Sequence, residues 1–399
     1  MPKLGRYIVK GTILVSGASI AGPALAYWLH RRGFTVTVVE RAGAVRGGGY
    51  PIDVRGTAIE VVDRMGLLPR VRAAHVDSQR LTFLTPGGTA IATVDPEAAT
   101  GGTHGRDVEL RRGDLVGALY DAVRDDVEFV FGDSIARLAD HDNGVDVTFH
   151  SGRERTFDMV VGADGLHSAT RALIFGPEEQ FHHYLGYCFA GFTMPNHLGL
   201  SHEGVIWNVP GRAGILYATG DAPEVHGLLN FARTDPPFDA CRDPQAQCDL
   251  VAEVFAGDGW EIPRMIATMR TADDLFFDVV SQIRMPRWSS GRVALVGDAG
   301  YAPSFMSGQG SSMALVGAYV LAAELAAAPD HTGAFAAYED GLRGFVELNQ
   351  ALATGGGGLV APRTAEDLER RDAALREPVG PTGDRIREAA SAFTLPAAA

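Results

Sequence analysis

Lysine is almost missing from this chain: all but two of its 35 basic residues are arginine, and none of its 399 residues after Lys10 is a lysine. Chemistry that needs a lysine amine, such as a Schiff base or the lysine of a Walker-type phosphate loop, is excluded over nearly the whole length. Cysteine is scarce too. Cys188, Cys241 and Cys248 cannot all pair, and the last two lack a usual metal spacing, so buried thiols, no metal site and a reducing cytoplasmic setting are expected. Excess positive charge is also absent. A formal net charge of -14 disfavours a nucleic acid partner, whose phosphates call for a basic face. Beyond the N-terminal region no stretch approaches the roughly 20 uninterrupted apolar residues of a membrane span, so no membrane partner is expected. The N-terminus imitates a signal peptide, with Lys3, Arg6 and Lys10 ahead of an apolar run from Gly11 to Leu29. That run holds two turn glycines and leads into the strand pattern FTVTVVE instead of a cleavage region. What is present, 46% hydrophobic and 21% charged residues, suits a globular chain with a sizeable core and a small-molecule ligand.

Thr12 to Ser16 reads as a buried strand, Pro23 to Arg32 as a helix ended by Gly33, and Phe34 to Val39 as a second strand. This order within roughly 30 residues is a βαβ unit, and it implies a parallel sheet. MVVGADG (Met159 to Gly165) and RVALVGDAG (Arg292 to Gly300) read as returns to that sheet, each ending in a glycine and aspartate turn. Residues 180–285 change character: FAGFTM, GVIWNV, AGILYA and GLLNFA alternate as strands of an antiparallel sheet with one face over a cavity. A hairpin pattern in residues 78–105 is placed with that second sheet. Ser311 to Ala328 is an alanine-rich helix, Gly355 to Gly358 reads as a linker, Ala365 to Arg376 as a charged helix, and TLPAAA as a frayed tail.

The stretch VSGASIAG (Val15 to Gly22) fits two motifs imperfectly. As G-x-G-x-x-G it has Ser19 in place of the middle glycine; as a G-x-S-x-G nucleophile elbow its second glycine falls one place late. Position favours the nucleotide reading, because an elbow strand lies mid-sheet after other strands and only one strand precedes this turn. Gly17 then makes the tight turn and Gly22 lets the helix pack on the strand. Ser19 stands beside a pyrophosphate at the helix N-terminus. Glu40, 18 residues past Gly22 at the end of the second strand, is placed to accept both hydroxyls of an adenosine ribose. Whether the dinucleotide is NAD or FAD is open on these residues alone.

Taken in order, GASIAG with Glu40-Arg41, VVGADGLHSATR and VALVGDAGYAPSFMSGQG resemble the three signatures of the class A FAD-dependent aromatic hydroxylases, the para-hydroxybenzoate hydroxylase fold. The chain looks nearest to members that modify tetracyclines and other polyketides. The resemblance implies an α/β with α+β architecture: a Rossmann-like FAD-binding domain (1–77, 106–178 and 286–345) interleaved with an antiparallel-sheet substrate domain (78–105 and 179–285). A C-terminal linker, helix and tail (346–399) would follow. Gly17, Ser19, Gly22, Glu40 and Arg41 would hold the ADP half of FAD. Arg112 would meet the phosphate and ribityl region, Asp164 would serve the DG motif, and Asp298 would bind the ribityl chain. Asp53 would lie near the isoalloxazine, with Gly310, Ser311 and Ser312 opening a helix toward the flavin, where its dipole favours negative charge. Implied partners are NADPH or NADH as a transient reductant, O2, and a small aromatic or polycyclic substrate hydroxylated through a flavin C4a-hydroperoxide by a monomer or homodimer.

Trp207, Tyr217, Phe231, Arg233, Phe276, Phe277 and Phe305 are candidate substrate contacts, and His182 and His183 candidate bases; no catalytic residue is assigned. Three positions depart from the family pattern: Tyr301 replaces a histidine, Phe305 a proline and Ser312 an asparagine. Rival readings are a flavin reductase or dehydrogenase of the same fold, an inactive ligand-binding relative, and a flavin halogenase. The last is suggested by Trp260-Glu261-Ile262-Pro263, but Asp258 stands where that motif has its first tryptophan and its lysine is missing.

Overall fold

The computed structural model describes residues 10–376 and 382–397, so Lys3 and Arg6 of the signal-like N-terminus lie outside the described residues. The apolar run after them becomes β1 (Thr12–Ser16) and α1 (Ala21–Arg31), which lead to β2 (Thr35–Glu40) as a parallel βαβ unit. Gly33, at φ 89°, ends the helix as expected of a left-handed glycine there.

The chain continues through β3 (Pro51–Val54), α2 (Thr57–Arg64), α3 (Leu68–Ala73), β4 (Arg80–Leu84), β5 (Ala90–Val94) and α4 (Pro96–Thr100). It then forms β6 (Val108–Arg111), α5 (Arg112–Asp121) and β7 (Glu128–Phe131). A three-stranded antiparallel sheet of β8 (Ile135–His141), β9 (Gly144–Phe149) and β10 (Glu154–Phe157) precedes β11 (Met159–Gly162) and α6 (Ala169–Phe175). Next come β12 (His182–Pro195), β13 (Glu203–Val209), β14 (Arg212–Tyr217), β15 (Glu224–Ala232), α7 (Pro244–Val254), α8 (Ile262–Met269) and β16 (Phe276–Ile283). Last are β17 (Ser289–Ser290), β18 (Val293–Leu295), α9 (Asp298–Tyr301), α10 (Gly310–Ala327), α11 (His331–Val360), α12 (Ala365–Ala374) and α13 (Thr382–Ala390).

The fold is mixed α/β. One sheet has the order β17-β18-β11-β1-β2-β7, parallel except at β17. Its central strands β18, β11 and β1 are nearly continuous apolar runs because both faces are covered. Ile13 and Val15 pack with α1 and α10, while Leu14 packs with β8, β9 and β10. The second sheet has the order β16-β12-β15-β14-β13-β4-β5, so the 80–94 hairpin sits at its edge through one parallel pairing, β4 with β13. A short antiparallel pair, β3 with β6, lies between the two.

Two expectations at the C-terminus are corrected. Gly355 to Gly358 is not a linker but the last turns of α11, which runs to Val360. Glycine disfavours helix by about 1 kcal/mol each, and tertiary contacts just past the glycines offset it: Leu359 O accepts from Arg371 Nη1 and Val360 O from Asn208 Nδ2, each at 2.7 Å. Nor is the tail frayed through its described part. Leu395 is buried, and Pro396 O accepts from Arg64 Nη1 at 2.7 Å and Tyr319 OH at 3.0 Å. Helix α10 is long and apolar enough to cross a membrane, but 67% of that stretch is buried inside the fold.

Candidate functional site

The first part of the site is built from backbone. Gly17 at φ 108° turns the chain after β1, and its N–H donates to Val39 O at 2.8 Å. A Cβ on Gly17 would lie 2.5 Å from Ala163 O, and one on Gly22 would lie 1.9 Å from Gly17 O. Only glycine lets the turn, β11 and α1 approach this closely. No side chain caps the start of α1, so amides of its first turn stay open. The Glu40 carboxylate accepts from Ala18 N at 2.8 Å and Ala42 N at 2.9 Å, one amide per oxygen, which leaves further lone pairs for a diol. Ser19 Oγ accepts from Arg112 Nη2 at 2.7 Å, tying the turn to α5. Ala18, Ser19, Glu40, Ala44, Val45, Arg46, Arg112 and Val116 line one cleft, with Arg41 exposed beside Glu40. A separate surface cleft between α3 and α5, lined by Arg70, Ala74, Asp114 and Gly117, holds none of the motif residues.

The second part lies at the starts of α9 and α10. Asp298 opens α9 after Gly297, at φ 65°. Its side chain is accessible, yet desolvation by the protein around it raises its carboxyl above the ordinary range while Arg112 opposes the shift. Gly308 and Gly310 bring the uncapped start of α10 against two acids: a Cβ on either would lie 3.8 Å from Asp53 Oδ2 or Asp298 Oδ1 respectively. Ser304 holds φ 89°, a conformation rare for a side-chain-bearing residue, and Gln309 is fully buried with both amide atoms unpartnered among the described residues. Uncapped helix starts, a strand-end acid and a desolvated acid suit a dinucleotide with a charged middle and an electron-accepting ring. Ser311 is half-buried at the start of α10; Ser312 points inward, its hydroxyl accepting from Arg55 N at 3.0 Å. Ser168 caps α6 and Asp164 supports it with both oxygens engaged: Oδ1 by the Ser168 hydroxyl, Oδ2 by Thr170 N at 2.9 Å. Tyr301 turns away into the core, where Tyr338 OH donates to it at 2.9 Å, so that family departure does not reach the site.

The third part is a face of the second sheet. Period-2 alternation splits the predicted aromatic contacts. Trp207, Phe231 and Phe277 are buried on the face covered by α7 and α8, and Trp207 Nε1 donates to Pro86 O at 2.9 Å. They are core residues, because their strand positions point away from the parallel-sheet domain. Phe276 is 44% exposed on the opposite face and Phe305 38%; Phe305 stacks on Phe189 at 4.6 Å, and Tyr50 lies 5.9 Å from Phe305. Phe189 lies 5.5 Å from Phe276, which completes an aromatic wall. Tyr217 and its cross-strand partner His226 share that face. Burial raises the Tyr217 hydroxyl and lowers His226, the latter aided by Arg111. Arg233 lies outside, exposed, with Nε donating to Asp235 O at 3.0 Å. His182 packs on Phe238 at the start of β12, and His183 is exposed, so neither joins the wall.

Tyr50, Glu109, Arg111, Phe189 and Asp278 escaped the sequence reading, as did His167. The imidazole of His167 bridges Glu178 at 2.7 Å and Asp278 at 3.1 Å, joining the DG turn to β16, and the two acids hold it protonated up to about 10. A signal was present: in FFDVV, Phe276 and Asp278 alternate with apolar residues, as expected of a face that is not core. The Trp260-Glu261-Ile262-Pro263 segment sits at the start of α8, on the far face of the sheet, against Gly214.

Residues 10–185 match the FAD binding domain family. An uncharacterised Mycobacterium tuberculosis protein, Rv1260, is 45% identical over 90% of this chain and 97% of its own length. A flavin-dependent monooxygenase from an unknown prokaryotic organism is 40% identical over 85% of this chain and 88% of its own. The crystal structure of tetracycline destructase Tet(55) superposes with a TM-score of 0.85 at 36% identity, covering 99% of this chain and 100% of that one.

Proposed function

Because the chain belongs to the flavin-dependent monooxygenases, with an FAD binding domain, we propose that it consumes NAD(P)H and O2 to hydroxylate an aromatic or polycyclic, polyketide-like molecule. The aromatic wall carries this reading. Phe189, Phe276, Phe305 and Tyr50 form one cluster, with Phe305 just before the start of α10 and Asp298 close enough to act on the Tyr50 hydroxyl, so a flat, electron-rich ring system would be held against the flavin end. The tetracycline destructase similarity supports a fused-ring substrate.

Bound FAD would supply the redox step, accepting two electrons from the nicotinamide and activating O2. The chain's own residues bind, orient and exclude water. Glu40 would accept the ribose hydroxyls, the Gly17 turn and open α1 amides would cradle the pyrophosphate, and Arg112 would neutralise part of its charge. Asp298 would hold the ribityl chain, and the α10 amides with Gly308 and Gly310 would face the negative charge that accumulates on reduction. Phe276 and Phe305 would keep water from the reacting carbon.

The test is NAD(P)H oxidation by the FAD-loaded protein against tetracyclines and polycyclic phenols, with mass spectrometry of the products. Gain of one oxygen atom is expected. A product that gains or loses only hydrogen would point to a reductase or dehydrogenase, and a colourless protein that refuses FAD to a ligand-binding relative. Asp298→Ala should weaken FAD binding about tenfold, equivalent to about 1.4 kcal/mol, in a fluorescence titration.

A further inference from the structure

The segment that carries Phe305 is gripped from behind by two buried carboxamides. Gln350 Nε2, on α11, lies within donating distance of Ile283 O at 2.9 Å, Ala302 O at 3.2 Å and Tyr301 O at 3.4 Å. Gln282, fully buried near the end of β16, donates to Pro303 O at 3.1 Å and to Gln350 O at 2.7 Å, which joins the two grips. Its Oε1 accepts from Arg284 Nε at 3.0 Å and Nη2 at 2.7 Å, so the amide can point only one way. The carbonyls of residues 301–303 are buried at and beyond the end of α9, where an unmet acceptor is costly, and that accounts for the glutamines. It does not account for Ser304. With φ 89° and ψ 148°, this residue holds a conformation that glycine alone enters without strain. The other non-glycine residues with positive φ among the described residues, Asp77, His202 and Trp260, lie at 49°, 50° and 52°, in the ordinary left-handed well. Such strain persists only where the surroundings over-determine it. Here the two amides hold the carbonyls before Ser304, and after it Ser304 O accepts from Ser307 N at 3.1 Å and Ser307 Oγ at 2.9 Å. What the turn delivers is Phe305: residues 301–304 are buried, and the next side chain leaves the core and stacks on Phe189 with the ring planes 14° apart.

Resting on the proposed function, we infer that Ser304, clamped by Gln282 and Gln350, is a positioning residue: its strained turn holds Phe305 flat against Phe189 and so preforms the part of the aromatic wall on which a fused-ring substrate stacks. The clamp is tied to the rest of the wall as well. Gln282 shares β16 with Phe276, and Val280 between them packs in one cluster with Phe189 and Met306. Stability is stored as strain in exchange for a surface that a ligand does not have to order on binding. A relaxed turn would free Phe305 from the stack, and the flat surface would have to be rebuilt each time a ligand binds.

The test is glycine at position 304, which relaxes the turn without adding an atom. In the FAD-loaded protein at a fixed excess of FAD, Ser304→Gly should raise the melting temperature by about 2 °C, although glycine also gains freedom in the unfolded chain. The same variant should bind tetracycline about fivefold more weakly, the worth of one aromatic contact, in a calorimetric titration without reductant. Stability and binding moving in opposite directions is the signature of a positioning role, because a turn that served the fold alone would change stability and leave the ligand alone. Ser304→Ala removes the same hydroxyl but keeps the Cβ, so its melting temperature should not rise. Gln350→Leu, which keeps the volume and removes the donor, should lower the melting temperature and also weaken tetracycline binding. Ser304→Gly no more stable than wild type, or a rise shared by Ser304→Ala, overturns the inference. Tetracycline bound equally by wild type, Ser304→Gly and Gln350→Leu overturns it alone, whereas a wild type that binds no tetracycline overturns it together with the substrate reading on which it rests.

Discussion

The cleft around Gly17 and the face around Phe276 are built on opposite principles. In the first, the glycine turn, the α1 amides and the Glu40 carboxylate come from one βαβ unit, so spacing along the chain sets the geometry. In the second, each wall comes from a different part of the chain: Tyr50 before β3, Phe189 on β12, Phe276 on β16 and Phe305 before α10. A site of backbone tolerates changed side chains but no added atom at its glycines. A site of side chains tolerates truncation in stability and pays in binding.

The largest effect should come from Gly22→Val, whose Cβ would fall within bonding range of Gly17 O, at 1.9 Å. Overpacking of this kind costs about 1–3 kcal/mol or more, and the purified protein should lack flavin absorbance; a variant with full FAD content would break the contrast at its backbone end. Next, Trp207→Ala should destabilise by about 3–5 kcal/mol as a core aromatic. Phe276→Ala should cost no more than about 1.5 kcal/mol, the worth of its aromatic contacts, yet weaken binding of a polycyclic ligand several-fold. Denaturant midpoints and ligand titrations on both variants check the assignment of the two faces, and a reversed pattern would sink it.

The His167 bridge tests whether the two regions are held together by charge. Its imidazolium is favoured in the fold by Asp278 and Glu178, which move its titration from 6.5 up to about 10. A raised value means that the stabilisation is full below about 6.5 and is lost as pH rises through about 10. Wild type should therefore lose thermal stability over that window more steeply than His167→Gln, with the effect moderated because the imidazole is half exposed. Parallel melting profiles would show that the bridge contributes nothing. The smallest effect should be that of Ser19→Gly, which removes one hydrogen bond with Arg112, about 0.5–1.5 kcal/mol. FAD and activity should survive; their loss would revive the catalytic serine.

The βαβ opening, the returns at Met159 and Arg292 and the α10 helix were legible because each depends on local period and turn chemistry. The substrate face was not. GVIWNV and GLLNFA show that alternation exists, but which set of alternate residues faces α7 and α8 depends on helices that follow much later. Trp207, Phe231 and Phe277 were therefore grouped with Tyr217 and Phe276, although the register turns them to opposite sides. The same limit hid the glycine-rich end of α11, where propensity predicts a break and bonds from Asn208 and Arg371 to the last carbonyls hold the helix.

The sequence by itself determined the nucleotide end: a glycine where φ must be positive, a glycine where a Cβ would strike the neighbouring carbonyl, and an acid at the end of the second strand. These are steric and dipolar requirements that act over a few residues. Only the tertiary structure decided the substrate end, by setting Phe276 beside Phe189, Asp278 beside His167 and Glu109 beneath Tyr217. Each of these contacts joins segments dozens of residues or more apart, and it exists only once hydrophobic burial has fixed which face of the second sheet turns inward.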